Sequence, residues 1–543
     1  MFHKFSIAIL LLPVIAVESA VLFVNKTPSV QLEFESIGSS WENPYINLQD
    51  ALEAAQSGDE IWVAEGTYTP MDGIDDSERY PREQSFQLKS NVSLYGGFRG
   101  FEGFIVQRPG DANNTILSGN IHSDYNQWSL HVLKGVDLNG TVTIDGFRIE
   151  NGNANGVRDG FAETGDRDVA TGSSVREVPG LGSGLFLWNF SGDLNITGCI
   201  FTENYCEPEK QDDDGSIIYV RIDPDLYKPL MSSSLPSEYL APSIRSPTTP
   251  VNFTIVDSYF FGNESNKTIR VQTEKESVYI IDDGTVFSPT LEYLPMGSFV
   301  AKNLEFSHNK GGAINVDSEL AWQELVLDQC IFVKNEGSST TVKLSGRGNA
   351  DVMNNVFEEN EAGLNLALTK VDNTANSVYW DTVKIENVIF EDNDGSSAQL
   401  ESQNLNVINS LFDSNEGDSL ETSFQNTVYI SDSEFTNNKG SSLSATGSVE
   451  IVDANFSNNY NDSANVRSTN AVVRNCIFKN NKSGSVEAGG GDIQVSNSRF
   501  TDNNGTALLS KSLTASNCEF TNNRSTGNGG AASSGDVRIF DCV

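Results

Sequence analysis

The sequence predicts an all-β solenoid, a parallel β-helix of about 22 residues per coil with a short capping helix at its N-terminal end. Three observations predict it. Phe-x-x-Asn recurs at Phe201/Asn204, Phe260/Asn263, Phe306/Asn309, Phe332/Asn335, Phe357/Asn360, Phe390/Asn393, Phe412/Asn415, Phe435/Asn438, Phe456/Asn459, Phe478/Asn481, Phe500/Asn503 and Phe520/Asn523. From Phe390 onward the spacings are 22, 23, 21, 22, 22 and 20. The flanks agree: five residues before the Phe stands an aliphatic (Ile385, Val407, Ile430, Ile451, Val473, Val495), and three before it Asn or Asp (Asn387, Asn409, Asp432, Asp453, Asn475, Asn497, Asn517). A β-sandwich has no reason to place one residue at one phase so many times.

The strand period makes the aliphatic and the Phe incompatible with one continuous strand. Five residues apart, they would point to opposite faces, yet both are apolar. The chain must bend between them, and the Asn or Asp three before the Phe tolerates the left-handed conformation of a tight bend. Each repeat reads as strand, bend, strand, then a second turn at the trailing Asn. Stacked at about 4.8 Å, the coils would pile Phe on Phe, and bend Asn could bond to Asn of the next coil.

In chain order, residues 1–19 read as a secretory signal peptide: Lys4, an apolar run from Phe5 to Val17, then Ser19 and Ala20. The best cleavage point follows Ser19. That run is too short to span a bilayer, and no membrane span is expected elsewhere. Residues 20–58 form the N-terminal segment. Within it, 47–55 reads as an amphipathic helix with Leu48, Ala51, Leu52 and Ala55 on one face. Asn47 and Asp50 resemble a capping box, and Gly58 suits the stop. Ile61-Trp62-Val63 reads as the first strand.

Residues 59–205 carry looser early coils, and 206–250 read as an inserted loop rich in Pro with Asp212-Asp213-Asp214. Residues 251–543 hold the regular repeats. Asp536–Val543 aligns with Asp492–Arg499, so the register stops one residue short of the next Phe. The expectation is a truncated C-terminus.

The chain has 74 acidic and 35 basic residues, a net charge of −39. This charge repels phosphate backbones, so no nucleic-acid partner is expected. It also disfavours direct binding to anionic polysaccharide or lipid unless a cation bridges. Only four His are present, which leaves few members for His-based metal sites or triads. Fourteen Asn-x-Ser/Thr sequons fit a secreted or cell-surface glycoprotein, with Asn91, Asn195, Asn252, Asn455, Asn481 and Asn523 as glycosylation candidates. Cys199, Cys330, Cys476, Cys518 and Cys542 share one inward repeat position, two before the Phe, and read as small core residues. Cys206 lies off that position, and Cys199–Cys206 is the disulfide candidate.

Residues 38–44, 48–52 and 58–68 resemble the N-terminal block of right-handed parallel β-helix proteins of the pectin-lyase-like superfamily; Ser85–Leu88, Leu94–Phe98 and Ile144–Phe147 continue the likeness. The resemblance implies a right-handed coil. Phe306-Ser307-His308-Asn309-Lys310-Gly311-Gly312-Ala313-Ile314 is similar to the short motifs of chlamydial polymorphic outer-membrane proteins. That likeness implies a surface adhesin, and because those motifs are scaffold motifs it implies no catalytic residue.

The pectin-lyase-like fold also hosts lyases and hydrolases. A hydrolase needs grouped carboxylates, and Asp282-Asp283-Gly284 and Asp213-Asp214-Gly215 are the nearest matches. Neither is accompanied by the Gly-His-Gly or Arg-Ile-Lys elements that the resemblance would lead one to expect of a galacturonan hydrolase. A lyase needs Ca²⁺ ligands and a basic residue. Asp212, Asp213, Asp214, Asp282 and Asp283, with Asp72, Asp75 and Asp76, are weak Ca²⁺ candidates, against the plainer reading of solvated acidic loops. No catalytic residue is identified and no organic cofactor is expected; Ca²⁺ is the one ion left open. The reading that follows is a non-catalytic binding face for carbohydrate or a cell-surface protein. A polysaccharide lyase or glycoside hydrolase, and a structural wall or matrix component, stand as alternatives.

Overall fold

The computed structural model describes residues 19–28, 37–74, 81–155, 181–206, 215–222, 251–273, 280–282, 285–287, 294–316, 320–336, 341–367, 380–460, 465–525 and 532–543. The signal-peptide core, Asp75, Asp76, Asp212–Asp214 and Asp283 lie outside them.

The chain is a parallel β-helix with three walls, and one coil shows how each is built. The strand Leu420–Ser431 spans two walls: Leu420–Thr422 pairs with Leu443–Ala445, and Thr427–Ser431 with Ser448–Val452. At Asp432 the backbone turns into the left-handed region at φ 50°. Glu434–Thr436 then forms the second wall, paired in parallel with Asn455–Ser457. Asn437, at φ 55°, makes the second bend, and the chain returns to Leu443–Ala445. Asn387, Asn409, Asp453, Asn475, Asn497 and Asn517 bend their coils as Asp432 does, where the spacing of aliphatic and Phe required a break.

Register places like on like. The wall that carries Phe has 15 strands among the described residues. Along it twelve rings from Phe201 to Phe520 stack at centroid distances between 4.5 and 5.2 Å, with planes within 14° of parallel. On the aliphatic wall Ile385, Val407, Ile430, Ile451, Val473 and Val495 are successive partners. The third wall contributes Leu364, Ala398, Leu420, Leu443, Val466, Val486 and Leu508. The three columns, buried up to the half-buried last ring at Phe520, form one core along the solenoid. Their side chains alternate with outward ones that are mostly polar, as a sheet with one wet face requires, except for an aliphatic row on the Phe wall at Ile331, Val356, Ile389, Leu411 and Ile477.

The trailing Asn, expected to make the second turn, does not itself turn the chain. The bend falls on the residue before it, and the Asn side chain points inward. From Asn204 to Asn523 these amides form an unbroken ladder. Asn393 Nδ2 donates to Asn415 Oδ1 at 3.0 Å and to the Phe357 carbonyl at 3.0 Å, while Asn415 Oδ1 also accepts the Asn393 backbone N–H at 3.1 Å. Both hydrogens of each buried amide are thereby used. The expected ladder of bend residues also exists, on the outside: Asn409 Nδ2 donates to Asn387 Oδ1 at 2.7 Å, and Asn517 Nδ2 to Asn497 Oδ1 at 2.7 Å.

Three sequence expectations are corrected. The first strand is Val21–Val24, paired with Glu60–Ala64, so Ile61-Trp62-Val63 belongs to the second. The helix spans Leu48–Ala54 and buries Leu48, Ala51 and Leu52 on the first coils as expected. Asn47, however, caps no backbone N–H; its amide donates to the Asp50 carboxylate at 3.2 Å. Lys89 closes the other end, donating to the Ala55 carbonyl at 3.1 Å. Third, Ser216–Ile222, inside the segment read as an inserted loop, is a third-wall strand paired with Leu181–Phe190 and Glu264–Thr273. Its flanking Pro and Asp hid a run that is apolar on both faces.

Candidate functional site

The early coils depart from the repeat on one side. In the third-wall strand Leu181–Phe190, Leu185 and Leu187 point into the core and pair with Ile218 and Val220. Phe186 and Trp188 point outward, where a regular coil would be polar. Phe186 stacks on His131 at 4.5 Å, on Tyr219 at 5.5 Å and on Trp188 at 5.9 Å. The Arg221 guanidinium lies 3.7 Å over the Trp188 ring. His131, Phe186, Tyr219 and Arg221 are all buried, and with Leu181 the aromatics form a cluster outside the solenoid core. This layer is a second, external core.

Beside it, at the corner between the Phe wall and the third wall, three rings meet in reach of solvent. Tyr125 and Trp128 are 6.3 Å apart, Trp128 and Tyr205 5.9 Å, and Tyr125 and Tyr205 6.3 Å. Tyr125 is 53% exposed, and the other two are half-buried. The rings are held from behind. Trp128 Nε1 donates to the His122 carbonyl at 3.0 Å, and Asn153 Nδ2 to the Tyr125 carbonyl at 2.8 Å. Arg82 donates to the carbonyls of Trp128 at 3.0 Å, Asn153 at 2.9 Å and Asn155 at 2.6 Å. Tyr205 directly follows Asn204, the first rung of the buried ladder, so the solenoid itself fixes its position. Burial, then the Glu203 carboxylate and Tyr125, push the Tyr205 phenol above its ordinary pKa, so it is a neutral donor and acceptor. Chemically the corner offers rigid apolar ring faces beside hydroxyls and carbonyls, a surface that can stack on the C–H face of a sugar ring and bond its hydroxyls.

The residues singled out from sequence are scattered. Asp282 closes the strand Ile280–Asp282, which pairs antiparallel with Thr285–Phe287. Asp72 pairs with Lys26 at 2.8 Å and accepts the Thr69 N–H at 2.9 Å, so it braces a turn. Among the described residues no three His, Cys, Asp or Glu side chains are placed to hold a metal ion, and no helix is long and apolar enough to cross a membrane.

Cys199 and Cys206 are both buried but are not joined. Cys199 occupies the inward corner and its thiol faces the Ile144 carbonyl at 3.5 Å; Cys206 lies past the next bend, in the strand Tyr205–Cys206. Cys330, Cys476, Cys518 and Cys542 occupy the same corner as Cys199, and Cys542 Sγ accepts the Cys518 N–H at 3.3 Å. Of the sequons, Asn195 and Asn455 are half-buried on outward positions. Asn91 bonds Ser57 and Thr141, and Asn252 bonds Asp193 and Ser298. Asn523 ends the ladder, with its amide on the Phe500 carbonyl. Asn481 is 1% exposed inside the ladder, so the fold removes it as a glycan acceptor.

The aromatic corner was not read from the sequence. The external layer beside it does carry a signal: Leu181–Phe190 and Ser216–Ile222 are apolar at odd and even positions alike, which a coil with a wet outer face would not be.

Residues 371–525 match the family model described as a right handed beta helix region, and the chain is a right-handed parallel β-helix. No curated protein sequence matches it. Among solved structures, the chain is similar to the catalytic unit of a thermostable GH87 α-1,3-glucanase from Streptomyces thermodiastaticus strain HF3-3, at 10% identity and TM-score 0.28, covering 97% of this chain and 69% of that one. It is similar to the A-module of the Azotobacter vinelandii mannuronan C-5 epimerase AlgE6, at 10% identity and TM-score 0.19, covering 91% and 92%. A PL6 family alginate lyase, AlyGC, gives 12% identity and TM-score 0.21, covering 96% and 92%. Likenesses this distant bear on neither substrate nor reaction.

Proposed function

We propose that this solenoid is a non-catalytic binding protein, secreted or displayed at the cell surface, whose corner of Tyr125, Trp128 and Tyr205 engages carbohydrate on a glycan or cell-surface molecule. The observation that carries this reading is the rigid backing of those rings. Arg82 ties three carbonyls behind them, and the Asn ladder anchors Tyr205. Side chains already ordered before contact lose little entropy on binding. The net charge of −39 directs the choice toward neutral or cationic sugars.

The test is binding of the purified full chain to a glycan array and to soluble neutral polysaccharides, followed by tryptophan fluorescence. Trp128→Ala and Tyr125→Ala should each weaken binding at least about tenfold, the loss of one stacking contact. Binding that survives both substitutions removes the corner from the reading. Release of reducing or unsaturated ends would replace it with a hydrolase or lyase, and self-association without glycan binding would favour a structural component.

A further inference from the structure

We propose that the Ser19–Ala20 peptide bond is a processing site, and that its hydrolysis creates an ammonium group that the buried carboxylate of Asp59 is placed to receive. The inference is independent of the carbohydrate reading.

Ala20 stands at the head of Val21–Val24, the first strand of the solenoid. Its backbone nitrogen lies 2.8 Å from Asp59 Oδ1, and its carbonyl accepts the Glu60 N–H at 2.9 Å. The second carboxylate oxygen, Oδ2, accepts the Gln56 N–H at 2.7 Å. Asp59 follows Gly58, whose φ of 100° allows the tight turn between the helix and the strand Glu60–Ala64. Asp59 is 5% exposed, and among the described residues no Lys, Arg or His forms an ion pair with it. A carboxylate so enclosed, served only by neutral peptide donors, keeps much of its desolvation cost.

Hydrolysis changes one of those donors. Water adds across the amide, the C–N bond breaks, Ser19 leaves with a new carboxylate, and the Ala20 nitrogen takes up a proton. The donor 2.8 Å from Asp59 then carries a full charge. The geometry singles out this bond. A cut one residue earlier leaves Ala20 as a neutral amide, and a cut one residue later removes the nitrogen altogether. Ser19 and Ala20 are exposed, and Ser19 is the small residue that a signal peptidase requires before its cut. Processing would staple the edge strand to the turn that follows the capping helix.

Two measurements test this. Intact mass of the full chain passed through a secretory pathway should give Ala20 as the first residue, and any other start overturns the proposal. Next, thermal unfolding is compared between the chain beginning at Ala20 and the same chain with one added Gly before it. The Ala20 form should unfold about 2 °C higher at pH 7. The gap should close above about pH 9 as the amine, normally near 8 and raised by its partner, loses its proton. It should also vanish in an Asp59→Asn background. Equal midpoints in the wild-type pair, or an undiminished gap in Asp59→Asn, overturns the pairing. Because the wild-type pair is informative by itself, failure of Asp59→Asn to fold leaves the proposal falsifiable.

Discussion

The side-chain oxygen of Asn438 receives two hydrogen bonds from Asn415, one from its backbone N–H and one from its amide, both at 3.1 Å. Asn438 in turn donates to the Phe412 carbonyl at 2.8 Å. One side chain therefore satisfies the backbone of a neighbouring coil at two points, inside a core that is mostly hydrocarbon.

Asn438→Ala should be among the costliest single changes in the regular coils. It leaves the Asn415 N–H buried without a partner and removes the side-chain donor from the Phe412 carbonyl, which the parallel ladder still serves, for a loss of about 1–3 kcal/mol. The adjacent Asn437→Gly should stay within about 1 kcal/mol, because glycine adopts its positive φ freely. Denaturant unfolding of the two variants decides the point; equal losses would mean that the ladder is not what holds the corner.

Phe435 stacks between Phe412 at 4.6 Å and Phe456 at 4.8 Å, its plane within 2° of both. Phe435→Ala should cost about 3–5 kcal/mol, the range for emptying a buried aromatic site. Glu434→Gln, on the outward face of the same strand, should change stability by about 0.5 kcal/mol or less. Chemical denaturation with both variants checks the column.

The corner thiols should be inert in the folded protein. Burial pushes Cys199 and Cys330 up to about 12 and Cys476 up to about 11. Folded, they keep their protons where the unfolded chain, titrating near 8.5, loses them. Their contribution to stability is therefore complete below about pH 8.5 and is lost as pH rises toward those folded values. A thiol reagent at pH 8 should label Cys542 first and leave Cys199, Cys330 and Cys476 until denaturant is added. Rapid native labelling of Cys330 would contradict its burial.

Glycan mapping of the secreted chain should find Asn481 and Asn263 unmodified, since each is 1% exposed within the ladder. Asn195 and Asn455 carry no such restriction. A glycopeptide containing Asn481 from natively folded material would be incompatible with the ladder.

The columns were legible because a solenoid writes its geometry as periodicity. Phe435 and Asp432 declared themselves by phase, and the odd gap from Ile430 to Phe435 demanded the bend that Asp432 makes at φ 50°. The second turn, expected at the trailing Asn438, falls one residue earlier, at Asn437. Strand period alone does not say whether Asn437 or Asn438 turns, and both types tolerate αL. The aromatic corner was hidden for a different reason. Trp128 and Tyr205 are brought together by coil stacking across non-periodic segments, and no local pattern links them. Cys199 and Cys206 are not joined although both lie in the one core, because the bend at Glu203 separates the corner that holds Cys199 from the strand that holds Cys206.

The interior amides all face the same way along the axis, each giving its hydrogens to the turns on either side of it in one fixed pattern. Any two turns therefore present matching ends. Excising 439–459 would bring Phe435 beneath Phe478 and Asn438 beneath Asn481, with no contact type lost. Duplicating the same stretch would lengthen the rod by one rise. The molecule is in this sense a ruler whose reach can be reset in whole divisions, leaving the aromatic corner at one end untouched.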